Sequence, residues 1–220
     1  MRSSTKKRQY HHGNLRAALI EAGIELIASE GARALTLREI GDRLGVSRMA
    51  AYRHFAGRAE LIAAIREAGF QQFGDALARA RDGAGEKFEA RMTALAKAYV
   101  RFAREHPAYF AVLFGSDSLR DKPFRSEAGE RSFSILEQTI REGQKDGDVR
   151  AGDSRLLACA AWAIVHGISA LELERTFAGD MAAEDFVEAC SGLILTGLDA
   201  TTASRIASQQ ISGTDPSQRP

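Results

Sequence analysis

Apolar positions in this chain recur at intervals of three and four residues, the spacing of one face of a helix. No convincing alternation with the period of two that a half-buried strand requires is present. In residues 14–29, Leu15, Leu19, Ala22 and Leu26 share one face, Asn14 precedes them as a candidate N-cap, and Gly31 closes the segment. Thr36 and Glu39 have the S/T-x-x-E spacing of a capping box, with Leu37, Ile40 and Leu44 at helical spacing around them. Gly45 then suits a tight turn with positive φ, Val46 is an apolar plug, and Ser47 offers a hydroxyl to cap a second short helix running to about His54. Two short helices hinged in this way make a helix-turn-helix, and the segment from Asn14 is the brace against which so small a unit buries its apolar face. A polar second helix braced by two others is what reading a DNA major groove demands.

The pattern continues as helices to the end of the chain. A long helix is expected from Arg58 to about Arg81, marked by Leu61, Ile62, Ile65, Phe70, Phe73 and Leu77, with Glu60 near its positive end. Asp82-Gly83-Ala84-Gly85 punctuates it. Further helices are expected over 86–105, over the apolar run PAYFAVLFG opened by Pro107, over about 125–144, and over two strongly apolar terminal stretches, 154–177 and 183–204. The fold class that follows is all-α with about nine helices: a three-helix DNA-binding head and a larger helical bundle. The expected divisions are a flexible basic arm at 1–12, the head at 13–57, the bundle at 58–204 and a loose tail at 205–220.

Composition changes this picture in one respect. The chain has 220 residues and a net charge of +1, which splits unevenly. Residues 1–60 hold eleven Lys/Arg against six Asp/Glu (+5), and the remainder nineteen against 23 (−4). Positive charge therefore lies with the helix-turn-helix, the asymmetry of a protein that meets phosphate at one end. The arm, with Arg2, Lys6, Lys7 and Arg8, fits either a solvated tail or an additional set of DNA contacts. No stretch reads as a signal peptide or membrane span, and a cytoplasmic protein, nucleoid-associated when bound to DNA, is expected. Cys159 and Cys190 are expected as small buried residues, and no metal or cofactor is expected. An enzyme is not expected, because hydrolase, zinc-protease, di-carboxylate and nucleotide-loop motifs are missing; Gly83–Lys87 lacks the spacing of a phosphate loop.

With these residues laid out, YHHGNLRAALIEAGIELIASEG followed by LTLREIGDRLGVSRMAAYRHFAGRAELI resembles the N-terminal domain of the TetR family of bacterial transcriptional regulators. HPAYFAVLFG (106–115) and WAIVHG (162–167) are similar to the C-terminal domain of the subgroup named for its Trp-His-Gly signature. The resemblance implies a homodimeric repressor that leaves a palindromic operator when a small molecule binds. The alternative is an architectural DNA-binding protein without a ligand.

The resemblance also implies roles. Arg38, Arg48, Met49 and Ala50 would face base edges, with Arg53 as a substitute reader, because Ala50-Ala51 stands where relatives often carry a hydroxyl and a leucine. Thr36, Tyr52, His54 and Arg58 would hold phosphates. Without it, Arg38 and Arg48 read as solvated helix arginines. Phe70, Phe73, Met92, Tyr99, Phe102, Phe110, Phe114, Phe133, Trp162 and His166 fit either a packed core or the lining of a cavity for an apolar or aromatic effector. Leu157, Ala160, Ile164, Ile168, Phe186, Cys190, Leu193 and Leu198 would form a four-helix dimer interface or pack on the chain's own core.

Overall fold

The computed structural model describes residues 14–115, 126–174 and 183–198. Among these, nine α-helices and one 3-10 turn occur and no strand. They are α1 (Leu15–Glu30), α2 (Leu37–Leu44), α3 (Arg48–Tyr52), α4 (Arg58–Gly83), α5 (Phe88–Glu105), α6 (Pro107–Phe114), α7 (Glu127–Asp146), α8 (Ser154–Leu173) and α9 (Ala183–Leu198), with the 3-10 turn at Ala32–Ala34. The arm at 1–12 and the tail at 205–220 lie outside the described residues.

The chain divides into two compact units between Arg66 and Glu67, within α4 rather than at its start. The reason is packing. Leu61 and Ile65 of α4 are fully buried with Leu19, Leu26, Leu35, Ile40, Ala51 and Phe55. Gly23 admits Ile65 to the face of α1, since a Cβ there would stand 2.8 Å from Ile65 Cδ1. The first turns of α4 thus belong to the head.

Local signals in the head operate largely as the residue pattern requires. Asn14 Oδ1 accepts from Ala17 N, Thr36 Oγ1 from Glu39 N at 3.1 Å, and Ser47 Oγ from Ala50 N at 3.2 Å. Gly45 has φ 66°, the left-handed conformation that lets α2 stop and α3 begin at once. The capping box at Thr36 is one-sided: the Glu39 carboxylate turns forward to Arg43 Nε at 3.3 Å. Glu60 does reach backward, accepting from Ala56 N at 2.6 Å ahead of α4.

In the second unit, α5, α7, α8 and α9 pack on one another. Arg81 of α4 and Arg91 of α5 both donate to the Glu142 carboxylate of α7, at 2.5 and 3.1 Å. The rings fill the space between helices edge to face: Phe73 lies 5.1 Å from Tyr99, and Phe114 lies 5.7 Å from Phe70 and 5.9 Å from Phe73.

Two expectations are corrected here. Helix α8 is 20 residues long and contains an 18-residue stretch of mean hydropathy 1.7, so by length and composition it does match a membrane span, although it forms part of the bundle. Neither cysteine is buried: Cys159 is exposed on α8 and Cys190 is half-buried on α9. Both corrections have one cause, since α8 and α9 carry apolar residues on a face that the chain's own described residues leave exposed.

Candidate functional site

The outer face of α3 is fixed by its two ends. Ser47 caps it, and Arg53 N and Phe55 N donate back to Met49 O and Ala51 O. Ala51 and Phe55 are buried below, so the residues between them must turn outward. Arg48, Tyr52, Arg53 and His54 are exposed, Met49 is 73% exposed and Ala50 is partly so. The Arg48 guanidinium lies 5.4 Å over the Tyr52 ring, which steadies it without consuming its donors. α3 carries no acidic side chain. Arg38 on α2 is also exposed; its ion pair with Asp42, at 3.8 Å and in solvent, is weak. The Thr36 oxygen serves as a cap while its own hydrogen remains available to an incoming acceptor.

Arg58, expected to hold a phosphate, is exposed and is also bonded to the head's own backbone. Its Nε donates to Leu35 O at 3.1 Å and its Nη2 to Ala32 O at 2.8 Å, so the guanidinium fork clasps the turn after α1. The spacing could not show this, because the 3-10 turn and its C-cap Leu35, which present the two carbonyls, were not legible in the residue pattern.

Within the second unit, a cavity of ≈ 50 Å³ lies among α4, α5, α7, α8 and α9. Of the residues expected to line it, Phe73, Met92, Tyr99, Phe133 and Trp162 do. Phe70, Phe102, Phe110, Phe114 and His166 are not in its wall and belong to the packed aromatic cluster. Leu77, Leu95, Leu136, Val165, Ser191 and Ile194 complete much of the wall. The leucines carried a signal as members of apolar stripes, whereas Ser191 carried none.

Three polar groups form a relay beside this cavity. Trp162 Nε1–H donates to the Tyr99 hydroxyl at 3.1 Å, and that hydroxyl lies 3.0 Å from His166 Nδ1. Burial pushes the Tyr99 hydroxyl well above its ordinary pKa, so it keeps its proton. Burial also lowers the His166 pKa, so the ring is neutral at pH 7. Tyr99 donates to Nδ1 in the tautomer with the ring proton on Nε2, and accepts from Nδ1–H in the other.

The terminal helices separate into two faces. Leu157, Ile168 and Leu198, expected at an interface, are buried within the chain's own core. Phe186 and Cys190 are half-buried. Exposed apolar surface comes instead from Leu156 (68%), Ala160, Ile164 and Leu171 on α8 and from Leu193 (73%) on α9. Among the described residues, no group of His, Cys, Asp and Glu could hold a metal ion.

A cap-defined helix-turn-helix whose second helix is basic and acid-free narrows the possibilities, and sequence comparison decides among them. Residues 19–65 match the model for bacterial regulatory proteins of the tetR family, and residues 92–192 match a tetracyclin repressor-like C-terminal domain. The chain belongs to the TetR family. The HTH-type transcriptional regulator Rv1816 of Mycobacterium tuberculosis is 28% identical over 151 residues, 67% of this TetR-family chain; the match spans 64% of that relative's own length. A solved structure from Rhodococcus sp. RHA1, described as a protein of unknown function, is 32% identical with a TM-score of 0.77, covering 87% of this chain and 99% of that one. The fold is also that of a tetR-family bacterial regulatory protein from Rhodococcus RHA1, with TM-score 0.66 at 22% identity, covering 90% of this chain and 99% of that one. The TetR-family head is thus the three-helix unit closed by the first turns of α4.

Proposed function

We propose that this TetR-family chain is a homodimeric transcriptional repressor that binds a palindromic operator and is released by a small apolar effector. The observation that carries the DNA-binding part is the outer face of α3, where Arg48, Met49, Tyr52, Arg53 and His54 project together from a capped helix bearing no acid. Arg48 and Arg53 supply paired donors suited to guanine O6 and N7, with Arg38 beside them; Met49 and Ala50 suit a thymine methyl. Thr36, Tyr52 and His54 hold phosphates, and Arg58 supports the turn rather than joining them.

Dimerisation is supported by the exposed leucines and isoleucine of α8 and α9, which a lone protomer leaves in water. Two heads on a two-fold axis would read half-sites roughly 34–36 Å apart. α4 offers the route for release, since one continuous helix carries Leu61 and Ile65 in the head and Phe73 and Leu77 in the cavity wall. An effector that displaces Phe73 tilts the helix on which the head is built. Trp162, His166 and Gly167 support the further reading that the C-terminal domain is of the Trp-His-Gly subgroup.

Selection of bound DNA from a random pool at two salt concentrations tests this reading. Recovery of a palindrome with half-sites about one turn apart is expected. Unenriched DNA whose binding collapses as salt rises would refute it in favour of architectural binding.

A further inference from the structure

The cavity wall has an unusual polar inventory. None of its lining residues is charged, so neither an anion nor a cation entering it would meet a counter-charge. Its hydroxyls and its indole are mostly committed already. Ser132 Oγ donates to Gly129 O, Trp162 Nε1 donates to Tyr99, and the Tyr99 hydroxyl is held between Trp162 and His166.

Ser191 is different. Its residue is only 6% exposed, and its Oγ is buried with no hydrogen-bond partner. Other buried helical hydroxyls in this chain bond a carbonyl one turn back: Thr139 to Ile135 O at 2.8 Å and Ser169 to Val165 O at 2.9 Å. Even exposed Thr196, on the same helix as Ser191, donates to Gly192 O at 2.9 Å. Ser191 forgoes that bond in a cavity of ≈ 50 Å³. A water there has room but finds few uncommitted polar partners, and an ordered buried water needs two to four.

We infer that the effector is an uncharged, apolar molecule with one hydrogen-bonding end, of the alcohol class, whose oxygen meets Ser191 Oγ while its hydrocarbon lies against Phe73, Met92, Leu95, Phe133 and Trp162. The inference rests on the effector reading above and specifies its ligand. The resting volume is well below the roughly 300–1,000 Å³ of sites for drug-sized ligands, so occupancy spreads the wall, with unbranched Met92 the side chain best able to yield. A carboxylate of the same chain length is rejected, because the wall offers no cation and its approach to Ser191 would bury an unpaired charge.

Trp162 lines the cavity and is the chain's single tryptophan, so its fluorescence reports occupancy directly. The full-length protein is titrated with a series of straight-chain 1-alkanols and with alkanoates of matching length at pH 7. Separately, anisotropy of the selected operator DNA is followed with the same compounds. A saturable shift in Trp162 emission is expected with alkanols of one preferred length and at least a hundredfold weaker response to the matching alkanoate. Ser191→Ala is expected to weaken alkanol binding about tenfold, the worth of one hydrogen bond. The apo variant should melt no lower than the wild type, because the substitution removes an unpartnered buried hydroxyl; this also shows that it folds. The inference is overturned if no alkanol shifts the emission, if the alkanoate binds as well, or if Ser191→Ala leaves affinity unchanged. Ser191-dependent alkanol binding that leaves operator affinity unchanged would uphold the ligand class and refute effector release.

Discussion

Replacing Arg58 with alanine separates a structural arginine from a phosphate-binding one. The variant loses the Nε bond to Leu35 O and the Nη2 bond to Ala32 O. Hydrogen bonds from a charged donor contribute about 1.5–3 kcal/mol each where partners are buried, but the Ala32 bond lies in solvent and its carbonyl is rehydrated once the arginine is gone. The loss is therefore dominated by the part-buried Leu35 carbonyl, and about 1–2 kcal/mol in total is expected for the head. For a unit of this size that corresponds to a fall in Tm of roughly 5–15 °C. Operator binding is then measured by fluorescence anisotropy across a salt series, well below the variant's Tm. Each phosphate contact contributes about 0.9 to the slope of log K against log salt, so the clasp role leaves the slope unchanged. Arg58→Lys sharpens the contrast: a single ammonium cannot span both carbonyls and stays destabilised, yet would preserve a phosphate contact. An unchanged Tm for Arg58→Ala together with a slope lower by about 0.9 would refute the assignment.

Arg48→Ala is expected to relax base preference at particular operator positions by about 1–3 kcal/mol, read as a flattened motif in repeated DNA selection, while thermal stability stays within about 0.5 kcal/mol. Leu193→Asp, at a residue 73% exposed in the protomer, should leave folding intact but shift sedimentation from dimer to monomer, since two such side chains per assembly would enter an apolar contact. Burial holds the folded pKa of His166 below its unfolded value, so the unfolded chain binds the extra proton first as pH falls. The contribution of the neutral ring is complete above about pH 6.5, the unfolded value, and is lost below it down to the folded pKa. Tm should therefore fall more between pH 7 and pH 5.5 in the wild type than in His166→Asn, whose amide does not titrate and can pair with the Tyr99 hydroxyl. Gly143→Ala places a Cβ 2.7 Å from both Phe88 Cδ2 and Val149 Cγ2, and the overpacking, about 1–3 kcal/mol, should outweigh the gain in helix propensity and lower the Tm of the bundle.

Sequence alone determined what depends on near neighbours. Asn14, Thr36, Ser47 and Gly45 act within three or four residues of themselves, so their caps and turn, and with them the helix-turn-helix, follow from local chemistry. Helical periodicity likewise gave the approximate bounds of the helices among the described residues, and the charge split gave the head its polarity. Tertiary structure decided whatever depends on a partner distant in the chain. Arg58 reaches carbonyls 23 and 26 residues away, which no spacing announces. Leu156 and Leu157 are adjacent and chemically identical, yet one is exposed and the other buried, because α8 is apolar around most of its circumference and only its neighbours select the covered side. The aromatic stripes were visible, but whether rings close on each other or leave a space depends on how five helices meet, which places Phe133 on a cavity and Phe110 in packed core. Ser191 shows the same limit: a serine in a helix ordinarily bonds its own backbone, and only the buried space beside it gives its hydroxyl another use.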